Sequence, residues 1–560
     1  MFNHIFKRSS DNKEKLILIG KTSSPLREPN TTSTFYFWIR PGIKVNPFDF
    51  VIVEQADGSF SVGLIDEIFV YTDSESHLTN FIGNELGRPD VEPYVERVSA
   101  MVARAQILRN IRDDYREEIY MPVPSEKKVY LANDEAIKKA LGYDRILGTP
   151  IPAGFITQSS GTLIPVFLDS HYVIGPEGAH ANATGISGLA TKTSYLMFLI
   201  YSLYNALEKK ICVIIFNVKH SDLLHIHEEP DDLNEKDKIM YNRLNLKPKP
   251  FENVTYFLPR GKSGEPDSDN PPNKNITKLY AYTLEDVYEE LDLLFSDVHD
   301  PYHTIDAFIT YVQRYWQNNG VAFEYEERGQ KKKYIAKTWT ELIDAPEQVV
   351  SQAVYGSKTH ATPPRIKREL RRLTNYSIFV SKRGSNEVYL GEAIKQSIKP
   401  GKINVIDIYR VPSRNWPFII GDVMRNIEQM YREKDLTEIP PLIIFIDELN
   451  TFAPASETVN PVTELIIEIA RKGRARKTAL FGAQQFKSEV HKQIWGNCTL
   501  NIIGRTGSAE LRTAPYGELD ENTKNSILNL AQGEMVLSFR VWRYPIKVTF
   551  PKPPYKRLKT

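Results

Sequence analysis

Two adjacent carboxylates directly follow an apolar run in the second half of the chain. The segment 441–448 reads Pro-Leu-Ile-Ile-Phe-Ile-Asp-Glu, so Asp447 and Glu448 stand at its end. An apolar run of this length predicts a buried central strand of a parallel sheet, and such sheets place their chemistry at the carboxyl ends of the strands. There, Asp447 suits a Mg²⁺ site and Glu448 suits the activation of a water molecule. The alternative is a strand that ends in a solvated acidic turn.

A second candidate for chemistry is the glycine-containing segment 181–194, which reads Ala-Asn-Ala-Thr-Gly-Ile-Ser-Gly-Leu-Ala-Thr-Lys-Thr-Ser. The phosphate-loop pattern requires Gly, four residues, Gly, Lys, and then Ser or Thr. Lys192 and Thr193 fit it, whereas Ile186 and Thr191 stand where the pattern has glycine. The context is that of a phosphate loop, because a predicted strand at 179–186 precedes the segment and an apolar helix, 195–204, follows it. The alternative is a turn that leads into a core helix.

If this segment holds a nucleotide, each residue has a defined role. Backbone N–H groups at the start of the helix would surround the phosphates, Lys192 would bind the β- and γ-phosphates, and Thr193 would ligate Mg²⁺ together with Asp447. The predicted nucleotide-binding residues are Gly188, Leu189, Ala190, Thr191, Lys192, Thr193 and Ser194.

Three further segments follow the carboxylates in a regular order. Residues 465–477 read as a helix with a basic end, residues 478–485 as a short strand that ends in Gln484 and Gln485, and residues 499–505 as a strand that ends in Arg505. Polar groups at the ends of neighbouring parallel strands meet at one edge of a sheet.

The carboxylate strand resembles the Walker B motif of P-loop ATPases, and the order of the segments after it resembles ring ATPases of the HerA/FtsK type. This resemblance implies that Gln485 senses the γ-phosphate and that an arginine acts on the nucleotide of the neighbouring subunit. Arg474 is the first candidate for this arginine, followed by Arg471 and Arg505, since a planar and permanently charged guanidinium stabilises charge on the transferred phosphoryl group. The implied catalytic residues are Glu448, Lys192, Gln485 and Arg474.

The resemblance extends to both ends of the chain. Short β-like runs at 16–20, 34–39, 50–54 and 60–68, with turn signals between them, suggest a small β-barrel like the one that begins HerA-type ATPases. Residues 533–539 and 544–550 match the strand pair that closes the motor. The implied fold is α/β, a RecA-like P-loop ATPase core with an N-terminal small β-barrel and a helical insertion.

The boundaries of this organisation can be predicted from changes in composition. We expect the barrel at 1–90, a connecting segment at 91–160, the first part of the ATPase core at 161–221, a helical insertion at 222–364, the second part of the core at 365–550 and a tail at 551–560. Helical patterns at 284–295, 304–316 and 338–353 support the insertion.

Composition and charge exclude several classes of protein. A chain of 560 residues with a 41% hydrophobic fraction fits two to four globular domains. The net charge of +1 provides no general attraction to nucleic acid, although a pore requires only local charge. Two cysteines, Cys212 and Cys498, are too few for a disulfide framework, and no segment is apolar and long enough to span a membrane. With no signal-peptide pattern at the N-terminus, we expect a cytoplasmic protein.

Two polar clusters outside these motifs allow alternative interpretations. The segment 365–373 predicts an amphipathic helix in which Ile366, Leu370 and Leu373 face the core, and its cationic residues would contact DNA phosphates or form salt bridges across a subunit boundary. His225 and His227 have no further His or Cys at ligand spacing, so we interpret them as loop residues and not as a metal site.

The family resemblance implies a function, and a second interpretation remains open. The expected protein is an ATP- and Mg²⁺-dependent translocase or helicase that acts as a homo-hexamer on double-stranded DNA, independently of base sequence. Its expected partner is a separate nuclease or a sirtuin-like effector, in DNA end processing or in antiviral defence against phage. The second interpretation is a nucleotide-stabilised ring scaffold that activates an effector with little translocation, and the atypical phosphate loop favours it.

Overall fold

The chain divides into two compact units. The structure, a computed structural model, describes residues 16–558 apart from 84–85, 89, 91–97, 113–120, 187–190, 232, 319, 358 and 457–458. The first unit contains Met1–Leu168 and Gly517–Phe550, and the second contains Asp169–Tyr516 and Pro551–Thr560.

A closed six-stranded barrel begins the first unit. Its strands are β1 (Leu18–Ser23), β2 (Thr34–Ile39), β3 (Phe50–Glu54), β4 (Phe60–Thr72), β5 (Ser99–Ile111) and β6 (Lys128–Leu131), paired in the order β1-β2-β5-β4-β3-β6. Helix α1 (His77–Gly83) lies between β4 and β5, and helix α2 (Asp134–Ala140) follows β6. Alternation in β2 turns Phe35, Phe37 and Ile39 into the barrel core. The prediction of a small barrel is therefore confirmed.

The barrel reaches further along the chain than the predicted boundary at residue 90. Strands β5 and β6 both lie in the segment 91–160 that was expected to be a connection. β5 pairs with both β2 and β4, so the barrel cannot close without it. Its side chains alternate in the middle of the strand, where Ala103, Ala105 and Ile107 are buried, whereas its first residues are exposed and its last five are all buried. This uneven pattern hid the strand from pattern analysis.

The hairpin β7 (Pro150–Thr157) and β8 (Leu163–Asp169) completes the first part of this unit. Its pairing partner comes from the end of the chain and is described below.

A parallel sheet forms the centre of the second unit. The strands of this unit are β9 (Ala181–Thr184), β10 (Cys212–Asn217), β11 (Val254–Pro259), β12 (Thr277–Tyr280), β13 (Trp316–Gln317), β14 (Gly320–Glu327), β15 (Gln330–Ala336), β16 (Glu387–Val388), β17 (Ile403–Asp407), β18 (Leu442–Asp447), β19 (Thr478–Gln484) and β20 (Leu500–Ile503). Nine of them pair in parallel in the order β16-β12-β11-β17-β10-β18-β19-β9-β20. The six residues of β18 are all buried, as expected for a central strand whose two faces are both covered.

Helices connect these strands. They are α3 (Ser170–Val173), α4 (Thr191–Ala206), α5 (Glu235–Arg243), α6 (Leu284–Val287), α7 (Leu291–Leu294), α8 (Thr304–Arg314), α9 (Trp339–Asp344), α10 (Glu347–Tyr355), α11 (Thr362–Thr374), α12 (Leu390–Ser397), α13 (Trp416–Glu433), α14 (Pro461–Lys472), α15 (Lys492–Trp495) and α16 (Ser508–Leu511). The amphipathic helix predicted at 365–373 is confirmed, since α11 buries Ile366, Leu370 and Leu373. The predicted α/β core is confirmed as well.

The segment 222–364 differs from the helical insertion that was expected. β11 and β12 belong to the central parallel sheet, and β13, β14 and β15 form a separate antiparallel sheet. The hairpin β14–β15 carries cross-strand pairs of opposite charge, such as Glu324 with Lys333, which obscure an apolar alternation. The helix expected at 338–353 is interrupted at Pro346, which lies between α9 and α10, because proline has no N–H to donate within a helix.

The chain finally returns to the first unit. Helix α17 (Glu521–Leu528) precedes β21 (Glu534–Phe539) and β22 (Ile546–Thr549), which pair antiparallel. β22 in turn pairs with β7. The strand pair predicted near the end of the chain is therefore present.

Candidate active site

Sheet order brings the two predicted motifs together. β18 ends at Asp447 and β9 ends at Thr184, and β19 lies between these two parallel strands. Their carboxyl ends therefore share one edge of the sheet. Helix α4, which begins at Thr191, packs on β9 and β19 from this edge.

Thr193 and Asp447 are in direct contact although 254 positions separate them in sequence. The Thr193 Oγ1 hydroxyl donates to Asp447 Oδ2 at 2.9 Å. Asp447 is only 2% exposed, and its Oδ1 accepts the backbone N–H of Glu448 at 2.9 Å. A hydroxyl and a carboxylate at this distance can share one hard cation, so the structure brings together the two residues predicted to ligate Mg²⁺.

Glu448 stands beside Asp447 at a sharp change of backbone direction. Its φ is 52°, in the left-handed region that non-glycine residues rarely adopt. Backbone strain of this kind concentrates at functional sites. This backbone conformation ends β18. The Glu448 side chain is 22% exposed, whereas the neighbouring Asp447 is almost fully buried.

Lys192 is a buried cation at the start of α4. It is 5% exposed, and its Nζ atom has no hydrogen-bond partner among the described residues. Burial lowers the pKa of Lys192, and the charge of Lys219 lowers it further, against the opposing effect of Glu448 and Asp447. A buried ammonium group without a partner is costly, so this position suits an anionic ligand.

Lys219 is a site residue that sequence analysis did not identify. Its Nζ lies 3.0 Å from Asp447 Oδ1 and 2.7 Å from Glu448 Oε1. Burial opposes its charge, but the Asp447 and Glu448 carboxylates outweigh burial and raise the pKa of Lys219. Lys219 follows β10 by two residues, and β10 is paired with β18. The available signal was a lysine directly after a second apolar strand, but the pairing of these strands was needed to interpret it.

Asp222, in the turn after Lys219, adds a third carboxylate near this edge. Burial raises the pKa of Asp222, and the charge of Asp447 raises it further, whereas Lys219 lowers it. The site therefore contains acids and bases whose charges depend on one another.

A separate buried carboxylate occurs at the end of β17. Asp407 is 1% exposed, and Asn217 Nδ2 donates to its Oδ1 at 2.9 Å. Ser268 also donates to Asp407 Oδ2. Burial raises the pKa of Asp407 to about 6. Asn217, the last residue of β10, thus hydrogen-bonds to a carboxylate on the neighbouring strand β17.

The described part of the phosphate loop is consistent with a tight turn. Gly185 has a φ of 146°, and a Cβ atom there would come within 3.1 Å of the Arg505 carbonyl oxygen. Only glycine fits such a turn without strain. Three of the predicted binding residues, Gly188, Leu189 and Ala190, lie outside the described residues. Among the others, Thr191 is the first residue of α4, and Ser194 is buried in its first turn.

The two glutamines at the end of β19 have different surroundings. Gln484 is fully buried, and its Nε2 donates to Asn182 Oδ1 at 2.8 Å. Side chains alternate along a strand, and Ala483 is the register partner of Asp447, so Gln484 lies on the opposite face from Asp447. Gln485 follows the end of β19 and is partly exposed. Its role as a sensor of the γ-phosphate remains a prediction.

The candidate arginines lie at opposite edges of the sheet. Arg474 is exposed in the turn between α14 and β19, at the amino ends of the strands, whereas Asp447 is at their carboxyl ends. Arg471 is exposed at the end of α14. Arg505 is exposed after β20, and its carbonyl accepts the N–H of Ile186 at 2.8 Å. Arg474 is therefore placed away from the site of its own chain, and a role in catalysis requires the site of a neighbouring copy.

The positive charges of helix α11 are largely paired with carboxylates of the same chain. Each of its four arginines has a carboxylate oxygen within 4 Å, contributed by Asp300, Glu369 or Asp344. These salt bridges lie within the chain, and contacts of α11 with DNA or with a neighbouring subunit remain a prediction.

The two histidines of the β10–β11 connection are engaged by other side chains. His225 Nδ1 lies 2.8 Å from Glu228 Oε1, and His227 Nδ1 lies 2.8 Å from the Tyr256 hydroxyl.

In the part of the chain that the structure describes, none of the helices has the length and apolar character needed to cross a membrane.

The residues at the site fit ATP and Mg²⁺. The buried ammonium group of Lys192 can pair with a negatively charged phosphate. The Thr193 hydroxyl and the Asp447 carboxylate are oxygen ligands of the kind that Mg²⁺ prefers. The N-terminus of α4 supplies backbone N–H groups beside them.

Comparisons with known proteins find one similar curated protein and several similar solved structures. No family model matches the chain. The DNA double-strand break repair helicase HerA of Pyrococcus furiosus is 20% identical over 555 residues, which cover 92% of this chain and 89% of that protein. Among solved structures, VirB4 of Thermoanaerobacter pseudethanolicus is 13% identical with a TM-score of 0.41, over 72% of this chain and 96% of that chain.

A second solved structure, the bacterial conjugative coupling protein TrwBdeltaN70, is 11% identical with a TM-score of 0.42, over 73% of this chain and 92% of that chain. The match to HerA runs along nearly the whole chain, and the barrel, the parallel sheet and the contact of Thr193 with Asp447 agree with it. The chain is therefore similar to a HerA helicase along nearly its whole length.

Proposed function

We propose that this protein is a Mg²⁺-dependent ATPase that moves double-stranded DNA through a ring of six copies. The observation that carries the proposal is the contact of Thr193 with Asp447, beside a buried lysine without a partner. The HerA relative, named as a DNA double-strand break repair helicase, supports the choice of DNA as the substrate.

The residues of the site divide the work of hydrolysis among them. Lys192 binds the phosphates, and Thr193 and Asp447 hold Mg²⁺, which supplies positive charge that stabilises the transferred phosphoryl group. Glu448 orients and polarises the attacking water, and its partial exposure at 22% is compatible with a water molecule beside it.

Two further roles depend on residues away from these contacts. Gln485 reports the presence of the γ-phosphate, since it follows β19 on the side of Asp447. Arg474 acts in trans, because its position at the amino ends of the strands keeps it from the site of its own chain. Arg471 and Arg505 are the alternatives.

DNA is bound through its backbone, independently of base sequence. The net charge of +1 and the compensated arginines of α11 leave little general attraction to DNA, so phosphate contacts are confined to a few places. A separately encoded nuclease or sirtuin-like effector supplies further chemistry in the cytoplasm, either in DNA end processing or in antiviral defence.

A second candidate function is a ring scaffold that binds ATP and activates an effector with little translocation. The departure from the phosphate-loop pattern at Ile186 and Thr191 favours it, because glycine at those places lets the backbone approach the phosphates closely.

Steady-state ATP hydrolysis, measured with and without linear duplex DNA, separates these functions. A motor is expected to show strong DNA stimulation that is lost in Lys192→Ala and in Glu448→Gln, while Glu448→Gln still binds ATP. Glu438→Gln, a change at an exposed residue before β18, is the matched control and is expected to behave as wild type. Binding of ATP with negligible hydrolysis, whether or not DNA is present, would contradict the motor and support the scaffold.

The number of subunits is tested by mass photometry with and without ATP. A ring motor predicts a species of six chains, each of 64.2 kDa, that ATP·Mg²⁺ stabilises. A monomer at all protein and nucleotide concentrations would contradict both candidate functions.

A further inference from the structure

Lys219 occupies the space between the two carboxylates of the site. Its Nζ is within 3.0 Å of Asp447 Oδ1 and 2.7 Å of Glu448 Oε1, so a single ammonium group bridges them. Both oxygens of Asp447 are then engaged, because Oδ2 accepts from Thr193 and Oδ1 also accepts the Glu448 N–H. Oδ1 already accepts two hydrogen bonds, so a divalent cation that binds this oxygen must displace Lys219 or the Glu448 N–H.

The two lysines offset the two central carboxylates, and Asp222 is a third carboxylate nearby. Lys192 and Lys219 provide two positive charges, and Asp447 and Glu448 provide two negative charges. Free Mg²⁺ would bring two further positive charges next to Lys219, which would repel it at short range. Mg²⁺ that arrives with ATP carries a net negative charge, and the lysines attract that complex.

Lys219 also restrains Glu448. A carboxylate oxygen that accepts a hydrogen bond from an ammonium group at 2.7 Å is a poorer acceptor for the proton of a water molecule. Release of Lys219 would make this oxygen available. The side chain of Lys219 is 36% exposed, so solvent provides a place to which its ammonium group can move.

We propose that Lys219 is a positioning residue that holds the cation position between Asp447 and Glu448 until Mg²⁺ and ATP displace it together. It makes the nucleotide-free site reject free divalent cations, and it keeps Glu448 from activating water before ATP is bound. This inference rests on the proposed ATPase function, which it deepens by assigning a control on metal entry.

The test measures binding of Mn²⁺ by electron paramagnetic resonance on the full chain without nucleotide. Mn²⁺ stands in for Mg²⁺ because both prefer oxygen ligands in octahedral geometry. Lys219→Met retains the length of the side chain and removes the charge, and we expect it to bind Mn²⁺ at least about tenfold more tightly than wild type. Lys219→Arg retains the charge and is expected to bind Mn²⁺ as weakly as wild type.

Two controls connect the effect to this site. The double variant Lys219→Met, Asp447→Asn is expected to lose the added tight binding, because Asp447 is the proposed ligand. Lys209→Met removes a comparable lysine that is paired with Glu252 outside the site, and it is expected to leave Mn²⁺ binding unchanged. If Lys219→Met does not fold, Lys219→Gln replaces it and has the same expected result.

Coupling between nucleotide and metal provides a second measurement. In wild type, a non-hydrolysable ATP analogue is expected to increase the affinity for Mn²⁺ by a larger factor than in Lys219→Met, because only wild type has a lysine to displace. Equal Mn²⁺ affinities of wild type and Lys219→Met without nucleotide would overturn the proposal. Since that comparison contains no ATP, its result does not depend on hydrolysis, whose absence would overturn the motor function alone.

Discussion

Replacement of Lys192 by methionine should stabilise the nucleotide-free protein while removing its response to ATP. Lys192 is 5% exposed, and its Nζ has no hydrogen-bond partner among the described residues, so the folded protein bears the cost of a buried charged group. A buried polar group without a partner costs about 1–3 kcal/mol, and a charged group costs more. Methionine has a similar length and removes the charge, which should increase the free energy of unfolding by about 1–3 kcal/mol, because Asp447 and Glu448 already offset part of the cost.

The effect of ATP should have the opposite sign. A ligand that binds only the folded protein stabilises it by about 2.7 kcal/mol when its free concentration is about 100 times Kd. Wild type should gain this stabilisation from ATP·Mg²⁺, and Lys192→Met should gain little of it. The order of the two proteins is therefore expected to reverse, with the variant more stable without nucleotide and wild type more stable with it.

Thermal unfolding with and without ATP·Mg²⁺, followed by intrinsic fluorescence and calorimetry, provides the assay. The chain has two units, so the order of the midpoints is compared and no single free energy is extracted. Lys210→Met, which removes an exposed lysine paired with Glu208, is the control and should change neither midpoint appreciably. A nucleotide-free midpoint of Lys192→Met below that of wild type would refute the reasoning, because it would mean that attraction to Asp447 and Glu448 exceeds the cost of burial.

Three other predictions follow from specific contacts. Thr193→Val removes the hydroxyl that donates to Asp447 at 2.9 Å, so the affinity for ATP should depend less on Mg²⁺ than in wild type. Calorimetric titration with and without the metal measures this dependence. An unchanged dependence would exclude Thr193 as a ligand of Mg²⁺. Burial raises the pKa of Asp407 to about 6 and lowers the pKa of His180 to about 4, from 3.8 and 6.5. Between about pH 4 and pH 6, Asp407 is protonated in the folded protein but not in the unfolded chain, so its contribution to the free energy of unfolding falls by about 3 kcal/mol as pH rises. In the same range, His180 is protonated in the unfolded chain but not in the folded protein, so its contribution rises by about 3 kcal/mol. Urea midpoints of Asp407→Asn should rise more steeply with pH than those of wild type, and those of His180→Gln less steeply; parallel curves for all three proteins would contradict both assignments. Leu370 is fully buried in α11, so Leu370→Ala should lower the free energy of unfolding by about 2–5 kcal/mol, measured as a lower thermal midpoint. Leu436, which is 41% exposed, provides the control. A similar shift of the midpoint in Leu436→Ala would show that burial does not explain the effect.

Local patterns in the sequence predicted much of the fold and of the site. The apolar run before Asp447 became a fully buried central strand, and the alternation in the segment 34–39 became a barrel strand with the same bounds. Lys192 and Thr193 lie at the start of the helix that was expected after the phosphate loop. These predictions succeeded because each depends on residues that are close together in sequence.

Errors arose where local patterns are weak or carry charge. The exposed start of β5 and the charged strand β15 lack the apolar alternation by which strands are recognised. The interruption at Pro346 was visible in the sequence, but the apolar period on both sides of it suggested a continuous helix.

The sequence by itself determined the residue types of the site: two carboxylates after one apolar strand, and a lysine and a threonine at the start of one helix. The tertiary structure alone decided that Lys219 bridges Asp447 and Glu448, because that contact depends on the pairing of β10 with β18, whose strands are more than 220 residues apart. It also decided that Gln484 lies on the opposite face from Asp447 and that Arg474 lies at the opposite edge of the sheet from it. The physical reason is that the order and register of parallel strands result from burial of both faces of the whole sheet, and no single segment encodes them.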